Sequence, residues 1–422
     1  MMGVRRLAGA ALVYVAANGI SAGLPFLMMP VLTRVMSPAE YGLAAMFSVM
    51  VAIFSAVTGV NTHGAAGMRY FDRDTHDFPR FVAGCLVILA ASTAAVLAAV
   101  LLLAPWLTRW TQLPLLWLAV AVVVSAAQFV LQLQLTIWQS ASQPWRYAAL
   151  KAAQAVLDAV ASLGLVLVLR AGWEGRAGGI AIANVVVALA CLALLVAGRW
   201  VRFPTAREDL RSALRFGSPL VPHIASGMVL TMFDRFLIGN TLGMAGVGVY
   251  MVAVQVGMAM GLVTDAVNRA FAPWLVSSIK QRDDARDLRI VRFTYVYFVV
   301  LLLAAALVAA FAAPLLDLLT GSGYGQAAPA IPYIALGYAF GGMYYMVTNY
   351  VFYAGRTGAL ATVTFVSGAV NVVAALILVR SNGLVGAAQA AVIGKAVLFA
   401  ATWWLSDRCH PMPWGRALRR RA

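Results

Sequence analysis

The sequence predicts an all-α integral membrane protein of about twelve transmembrane helices, and three observations lead there. Of its 422 residues, 63% are hydrophobic and only 11% charged, whereas a soluble domain carries about 25% charged residues. Apolar runs of spanning length recur along the whole chain, separated by short polar breaks. The 31 Lys and Arg residues gather in alternate breaks, as they do in the cytoplasmic loops of multi-pass proteins.

A helix needs about 20 apolar residues to cross the hydrocarbon core. Such runs occur at 8–35, 41–66, 81–105, 114–137, 147–169, 177–198, 213–240, 246–274, 293–316, 327–353, 358–380 and 384–406. Each is read as a helix because a helix satisfies its own backbone where no water can. None has the alternation of a lipid-facing barrel strand. The first run lacks a cleavage site, so no signal peptide is expected. The fourth and fifth are the least clearly separated, by the short break Gln139 to Arg146.

With the N-terminus inside, the inner segments hold 23 of the Lys and Arg residues. The outer segments hold five (Arg34, Arg109, Arg170, Arg176 and Arg380), and Arg235, Arg269 and Lys395 fall within spans. Both ends are therefore expected to face the cytoplasm. The same bias accounts for the net charge of +16 without a nucleic-acid partner. Cys85, Cys191 and Cys409 are too far apart for a metal or disulfide pattern and read as apolar fillers.

The longest inner break near the midpoint, Arg199 to Arg215, divides the chain into an N-terminal six-helix bundle at 1–200 and a C-terminal one at 201–422. The halves show weak, aligned likeness. Gly42 and Gly248 each lead into a new helix, while Gly178-Gly-Ile-Ala and Gly383-Leu-Val-Gly-Ala-Ala open the sixth and twelfth spans. An even number of spans per half makes the repeats parallel, an arrangement suited to a transporter with a cavity between its halves.

Four segments resemble those of the oligosaccharide flippases of the polysaccharide-transporter family, which includes the O-antigen-type flippases and lies in the multidrug/oligosaccharidyl-lipid/polysaccharide superfamily. They are Pro30-Val-Leu-Thr-Arg-Val-Met-Ser-Pro-Ala-Glu-Tyr-Gly42, Asp234-Arg-Phe-Leu-Ile-Gly239 with Gly248-Val-Tyr250, Gly323-Tyr-Gly-Gln-Ala-Ala-Pro329, and Ala354-Gly-Arg-Thr357. The resemblance implies two six-helix bundles around a central, V-shaped cleft. It also implies a transporter, not an enzyme, that moves a polyprenyl-pyrophosphate-linked oligosaccharide from the inner to the outer leaflet by alternating access, for cell-surface polysaccharide synthesis. Localisation would be the bacterial inner membrane. Membrane lipids, a polysaccharide polymerase and glycosyltransferases would be partners. No cofactor, metal or catalytic residue is expected, and the energy source would be an ion gradient or the membrane potential. The alternatives are a multidrug or cation exporter of the same superfamily and, from another class, a membrane glycosyltransferase or polymerase. An exporter of cations would prefer uncompensated acids; an enzyme of that kind should show a sizeable outer loop or an acidic metal motif, and neither is present. A peptidoglycan-precursor flippase would be expected to have about fourteen spans.

Ionisable groups inside spans are costly and are the candidates for substrate binding or gating. Asp158 lies 12 residues from both Arg146 and Arg170, and Lys395 lies 12 from both Gly383 and Asp407, so both are central. They read as a cleft-facing or gate pair, or as buried structural groups. Asp265 and Arg269, at i, i+4, share a helix face. They read either as a self-satisfied pair or, for Arg269, as a fork for phosphate. Asp234 and Arg235 are adjacent and so expected to point apart, within snorkelling reach of the outer surface. Arg34 is an interface anchor or part of an outer gate. Arg69 is a topological cation or meets the arriving headgroup. His223, beside Pro219 and Pro222, marks a helix break or sits satisfied in the core. Tyr344, Tyr345, Tyr350 and Tyr353 stack sugars or pack helices. Counted together, Asp158, Asp234 and Asp265 cancel Arg235, Arg269 and Lys395, which leaves a neutral cleft with rim arginines.

Overall fold

The computed structural model describes residues 2–279 and 284–418, without the side chains of residues 2–12, 15, 22, 223, 225, 226, 229–231 and 418. Among the described residues every regular element is a helix. In chain order they are α1 (Met2–Val35), α2 (Pro38–Val57), α3 (Thr62–Arg69), α4 (Phe78–Leu102), α5 (Ala104–Thr111), α6 (Leu115–Ser140), α7 (Pro144–Leu163), α8 (Gly172–Ala197), α9 (Arg207–Gly217), α10 (Leu220–Ile279), α11 (Asp284–Ala310), α12 (Ala312–Leu319), α13 (Ile331–Tyr353), α14 (Thr357–Cys409) and α15 (Trp414–Leu418). Nine stretches among these residues are long and apolar enough to cross a membrane. The chain is thus an all-helical, multi-pass membrane protein. It groups into two compact units, residues 1–239 and 240–422.

Three of the nine stretches are more than one straight helix: Pro38–Asp72, which unwinds between α2 and α3, and those of α10 and α14. α10 is interrupted at Gly243 (φ 75°, ψ 177°) and α14 at Gly383 (φ 57°, ψ −131°). Positive φ is the province of glycine. Within α14 the chain folds back on itself: a Cβ on Gly386 would collide with the Leu378 carbonyl, and one on Gly394 would lie 2.7 Å from the Asn371 Cβ. In a straight helix residues 371 and 394 would be about 35 Å apart at 1.5 Å per residue.

Local chemistry sets the turns. Ser37 caps α2: its hydroxyl accepts from the Glu40 N–H at 3.3 Å, and the Glu40 carboxylate accepts from the Ser37 N–H at 2.9 Å and its hydroxyl at 2.8 Å. This is the reciprocal box that starts a helix, with Pro38 at the first position where its missing N–H costs nothing. At the end of α13, Gly355 takes φ 70°, and the Arg356 N–H donates to the Val351 carbonyl at 3.1 Å, which closes the helix in a left-handed cap.

In the first unit the core joins Phe78, Phe81, Val82 and Ile88 of α4 to Val130, Leu133 and Ile137 of α6, with Val187 and Cys191 of α8. In the second, Phe298 and Leu301 of α11 meet Met343, Met346 and Tyr350 of α13, with Phe399 of α14. Small residues let the helices close. Gly179 of α8 lies against the Ser162 backbone of α7, and Gly257 and Gly261 of α10 take the ring of Tyr338 on α13. Lipid supplies no hydrophobic drive between helices, so such close approach is a principal source of association.

Three expectations are corrected. The apolar run 41–66 is not one continuous helix. It breaks between α2 and α3, where Gly59, Val60 and Asn61 have φ of 72°, 49° and 52°. Side chains replace the lost ladder: Ser92 of α4 accepts from the Gly59 N–H at 2.8 Å, the Thr62 hydroxyl donates to the Gly59 carbonyl at 2.8 Å, and Thr58 and Ser125 pair at 3.1 Å. The run opening at 213 is not the start of a span. Residues 213–217 close α9, a separate helix in the linker, because arginines at 207, 211 and 215 keep one face polar. The sixth span opens at Gly172, ahead of Gly178. Cys85 and Cys191 are buried free thiols, and Cys409 is half-buried.

Candidate functional site

In the first unit the two mid-span aspartates are enclosed and paired. Arg176 on α8 reaches Asp158 on α7 with both terminal nitrogens, at 2.5 and 3.3 Å, and also donates to the Ser162 hydroxyl at 2.5 Å. The two side chains are 13% and 20% exposed. Arg176 is therefore not a loop cation. α8 begins five residues before the apolar run and carries the arginine inward beside α7. The Ser162 hydroxyl also lies 3.1 Å from the same Asp158 oxygen. Arg176, Asp158 and Ser162 form a closed triad at the end of α7.

Asp158 belongs to a longer polar stripe on α7. Tyr147, Lys151, Gln154, Asp158 and Ser162 follow at spacings of four, three, four and four, which keeps them on one face. Tyr147 donates to Asn18 of α1 at 3.3 Å, and Gln154 donates to Asn184 of α8 at 3.3 Å. Through Tyr147 and Gln154 the stripe fastens α7 to both neighbours, while Lys151, half-buried on the same face, has no ion pair or hydrogen bond among the described residues.

Asp234 and Arg235 do not point apart, as their adjacency suggested. The Arg235 Nη1 turns back to the Asp234 carboxylate at 2.7 Å, and both side chains are 14% exposed. The Asp234 carboxylate also accepts from the Arg235 N–H at 2.9 Å. A guanidinium on a three-carbon stem can bridge to a neighbouring residue where a direct peptide geometry would not.

Of the remaining first-unit candidates, Arg34 is exposed at the end of α1 and donates to the Pro30 carbonyl at 3.0 Å. Arg69 closes α3, stands over the Phe81 ring at 5.6 Å and buries its Nε without a hydrogen-bond acceptor. The side chain of His223 lies outside the described residues.

The second unit differs. Asp265 and Arg269 on α10 pair at 2.8 Å, yet their side chains are 43% and 52% exposed. The pair is thus self-satisfied but open to its surroundings. One residue away, Asn268 accepts from Asn349 of α13 at 3.0 Å, which fixes the rotation of this helix arm. Beyond Arg269, a groove of about 830 Å³ is lined by Phe271 and Trp274 of α10 and by Arg286, Arg289 and Phe293 of α11.

Lys395 is exposed on the second arm of α14. Twelve residues separate it from the Gly383 kink and twelve from Asp407, or about 18 Å of helix each way. Among the described residues it has no ion pair or hydrogen bond. Its neighbour Gly394 packs on Asn371, so the lysine points away from that helix contact. The structure engages Asp158 with Arg176, not with Lys395. The neutral balance drawn from the sequence fails for the same reason: each of the three mid-span aspartates has its own arginine, and Lys395 is left over.

The aromatic run of α13 divides. Tyr350 is fully buried and stacks on His410 at 5.9 Å, with Tyr353 edge-on to the same ring. Tyr344 and Tyr345 are neighbours at 5.8 Å, and Asn349 donates to the Tyr345 carbonyl. Tyr350 is packing, not a sugar platform. The feature that sequence reasoning missed is the unwound Gly59-Val60-Asn61. Its signal was the glycine and asparagine set among Thr58 and Thr62 within an apolar run.

A family model described as "Polysaccharide biosynthesis protein" matches residues 7–279. A curated Haemophilus influenzae protein of the Lsg locus is 23% identical over 274 residues, 64% of this chain and 66% of the relative, just under two thirds of its length. Among solved structures, an inward-facing multidrug resistance MATE family transporter of the MOP superfamily matches with a TM-score of 0.75 at 18% identity, covering 92% of this chain and 94% of the other. The lipid II flippase MurJ in an inward closed conformation matches at 0.74 with 12% identity, covering 93% and 87%. A MOP superfamily transporter from Pyrococcus furiosus, whose binding pocket is described as reversed in polarity, matches at 0.60 with 18% identity, covering 97% and 96%. These likenesses establish the fold.

Proposed function

The chain belongs to the polysaccharide biosynthesis protein family, and from that premise we propose that it is a flippase for a polyprenyl-pyrophosphate-linked oligosaccharide. On this reading it is a transporter, not an enzyme, and carries its substrate from the inner to the outer leaflet by alternating access. The functional halves are six-helix bundles at 1–200 and 201–422 around a central cleft. The proposed count of twelve spans treats α10 and α14 as two each and adds α13. The membrane is the bacterial inner membrane, with both termini cytoplasmic. Glycosyltransferases and a polysaccharide polymerase act before and after the transport step.

The observation that carries the reading is Lys395, a cation near the middle of a helix arm, exposed and without a partner among the described residues. A charge facing hydrocarbon at that depth costs at least about 2.5 kcal/mol, so the face that bears it adjoins a polar space. A lone cation there suits an anionic group such as a pyrophosphate. Arg269, half-exposed and with a planar fork, supplies a second contact when it exchanges Asp265 for phosphate. Arg34 and Arg69 attract the headgroup at the two ends of the path. Asp158 sets the geometry of the first half, and Asp234 and Arg235 contribute to gating at the start of the second. A multidrug or cation exporter would instead require an uncompensated mid-span acid, and each of the three mid-span aspartates is paired.

The test is to delete the gene and assay lipid-linked glycans in each leaflet. Accumulation of one such glycan on the inner leaflet supports the proposal, and unchanged distribution of all of them sinks it. Orientation is tested separately. Reporters fused at Gly172 and Ser322 should read outside, and those at Thr205 and Asp284 inside.

A further inference from the structure

We propose that the arginine face of α9 is a docking surface for acidic phospholipid headgroups of the inner leaflet. The proposal rests on the orientation given above, which puts the linker on the cytoplasmic side. Arg207, Arg211 and Arg215 recur at i, i+4 and i+8, so they follow one another along one side of the helix. All three are exposed, and none has an ion-pair partner among the described residues. With Leu210, Leu214 and Ser218 they line a groove of about 770 Å³. The groove combines cations with an apolar floor, the two properties of a lipid's phosphate and glycerol region.

The opposite side of α9 is fixed. Ala213 and Gly217 are buried, and Gly217 lies so close to the Val60 carbonyl that a Cβ would collide with it. Leu210 and Asp209 approach Gly84 of α4, and the Phe216 ring lies 3.3 Å from the Cβ position of Gly64 on α3. Asp209 is thereby turned toward the protein. Glu208 is exposed and is the one carboxylate of α9 near the stripe, so three guanidinium groups face one acid. A helix held to the protein by one face leaves its basic face open to anionic headgroups. Anionic lipid attracts each such cation independently of any transported substrate. The occupant's chemistry follows from this complementarity. α9 also packs on the unwound segment at 58–61, so lipid occupancy would brace the break between α2 and α3.

The experiment uses the full chain in nanodiscs of phosphatidylcholine, with and without phosphatidylglycerol, doped with a photoactivatable analogue of each lipid. Cross-links are mapped by peptide mass. The wild type should label the 203–218 peptide more with the phosphatidylglycerol probe than with the phosphatidylcholine probe. The variant R207Q/R211Q/R215Q should lose that preference by on the order of tenfold. R207K/R211K/R215K should keep most of it, because a surface field needs charge and not a fork. If the glutamine variant fails to fold, wild-type preference is followed with added salt, which should erode it as the Debye length falls. Equal labelling by both lipids, or a preference unmoved by either the substitutions or salt, would overturn the proposal. Nanodiscs present the same lipids on both faces and no substrate. Loss of flipping with lipid preference intact would therefore count against the flippase reading and not against this one.

Discussion

The two units treat their mid-span acid–base pairs in different ways. In residues 1–239, Asp158 with Arg176 and Asp234 with Arg235 are each no more than about one fifth exposed and matched one to one. In residues 240–422, Asp265 with Arg269 is about half exposed, and Lys395 has no partner among the described residues. An enclosed pair is expensive to break because a lone buried ion remains. An open pair is less expensive to exchange for a ligand, because the protein does not enclose either partner. The first unit's two enclosed pairs therefore read as structure, and the second unit's charges as groups available to a substrate.

The largest effect should come from breaking an enclosed pair. Asp158→Asn leaves Arg176 uncompensated and should cost about 3–5 kcal/mol, visible as loss of folded protein on size-exclusion chromatography and in membrane abundance. Combining it with Arg176→Gln should recover much of that loss. Recovery by Lys395→Gln instead would show that the partner assignment is wrong. At Gly179 the expectation is similar in kind. A valine there would drive into the Ser162 backbone, and abundance should fall sharply, since the helix contact has no room to relax.

In the second unit the losses should be of activity. Arg269→Gln should leave folded protein at normal abundance and reduce glycan export by tenfold or more, on the order of the 1.5–3 kcal/mol of a hydrogen bond to a charged group. Arg269→Lys should restore part of it, because the ammonium keeps the charge without the bidentate fork. Full export by Arg269→Gln would leave the arginine a passive surface cation. The smallest effect belongs to Asn349→Ala. It removes the Asn268 contact between α10 and α13 and should lower thermal stability by about 0.6–1.7 kcal/mol, the range for interhelical hydrogen bonds in membranes, with export reduced only slightly.

Much of this was legible in the sequence and some was not. Most apolar runs fall on a single helical stretch, because length and hydrophobicity are all that a span requires, but 41–66 unwinds at 59–61 and 213–240 divides between α9 and α10. The capped turn at Ser37-Pro-Ala-Glu40 was visible as a motif, and its hydrogen bonds explain it. The partner of Asp158 was not legible. The π-helical turn Gly164–Val168 and the early start of α8 at Gly172 bring Arg176 back beside α7, and no spacing rule reports a helix hairpin of that shape. Likewise α9 was hidden within a linker and the edge of an apolar run, although its arginine spacing was in plain view. The unwound segment at 58–61 depends on Ser92 and Ser125 from other helices, which are remote in sequence.

The central claim is that the uncompensated cation of the second unit serves the substrate. It is tested most directly in proteoliposomes holding equal amounts of wild type, Lys395→Gln and Asp158→Asn/Arg176→Gln, with a fluorescent polyprenyl-pyrophosphate oligosaccharide and an impermeant quencher to follow movement between leaflets. The account predicts that wild type flips the lipid, that the double variant keeps much of the rate, and that Lys395→Gln loses most of it while matching wild type in thermal stability. Equal flipping by Lys395→Gln and wild type would contradict it.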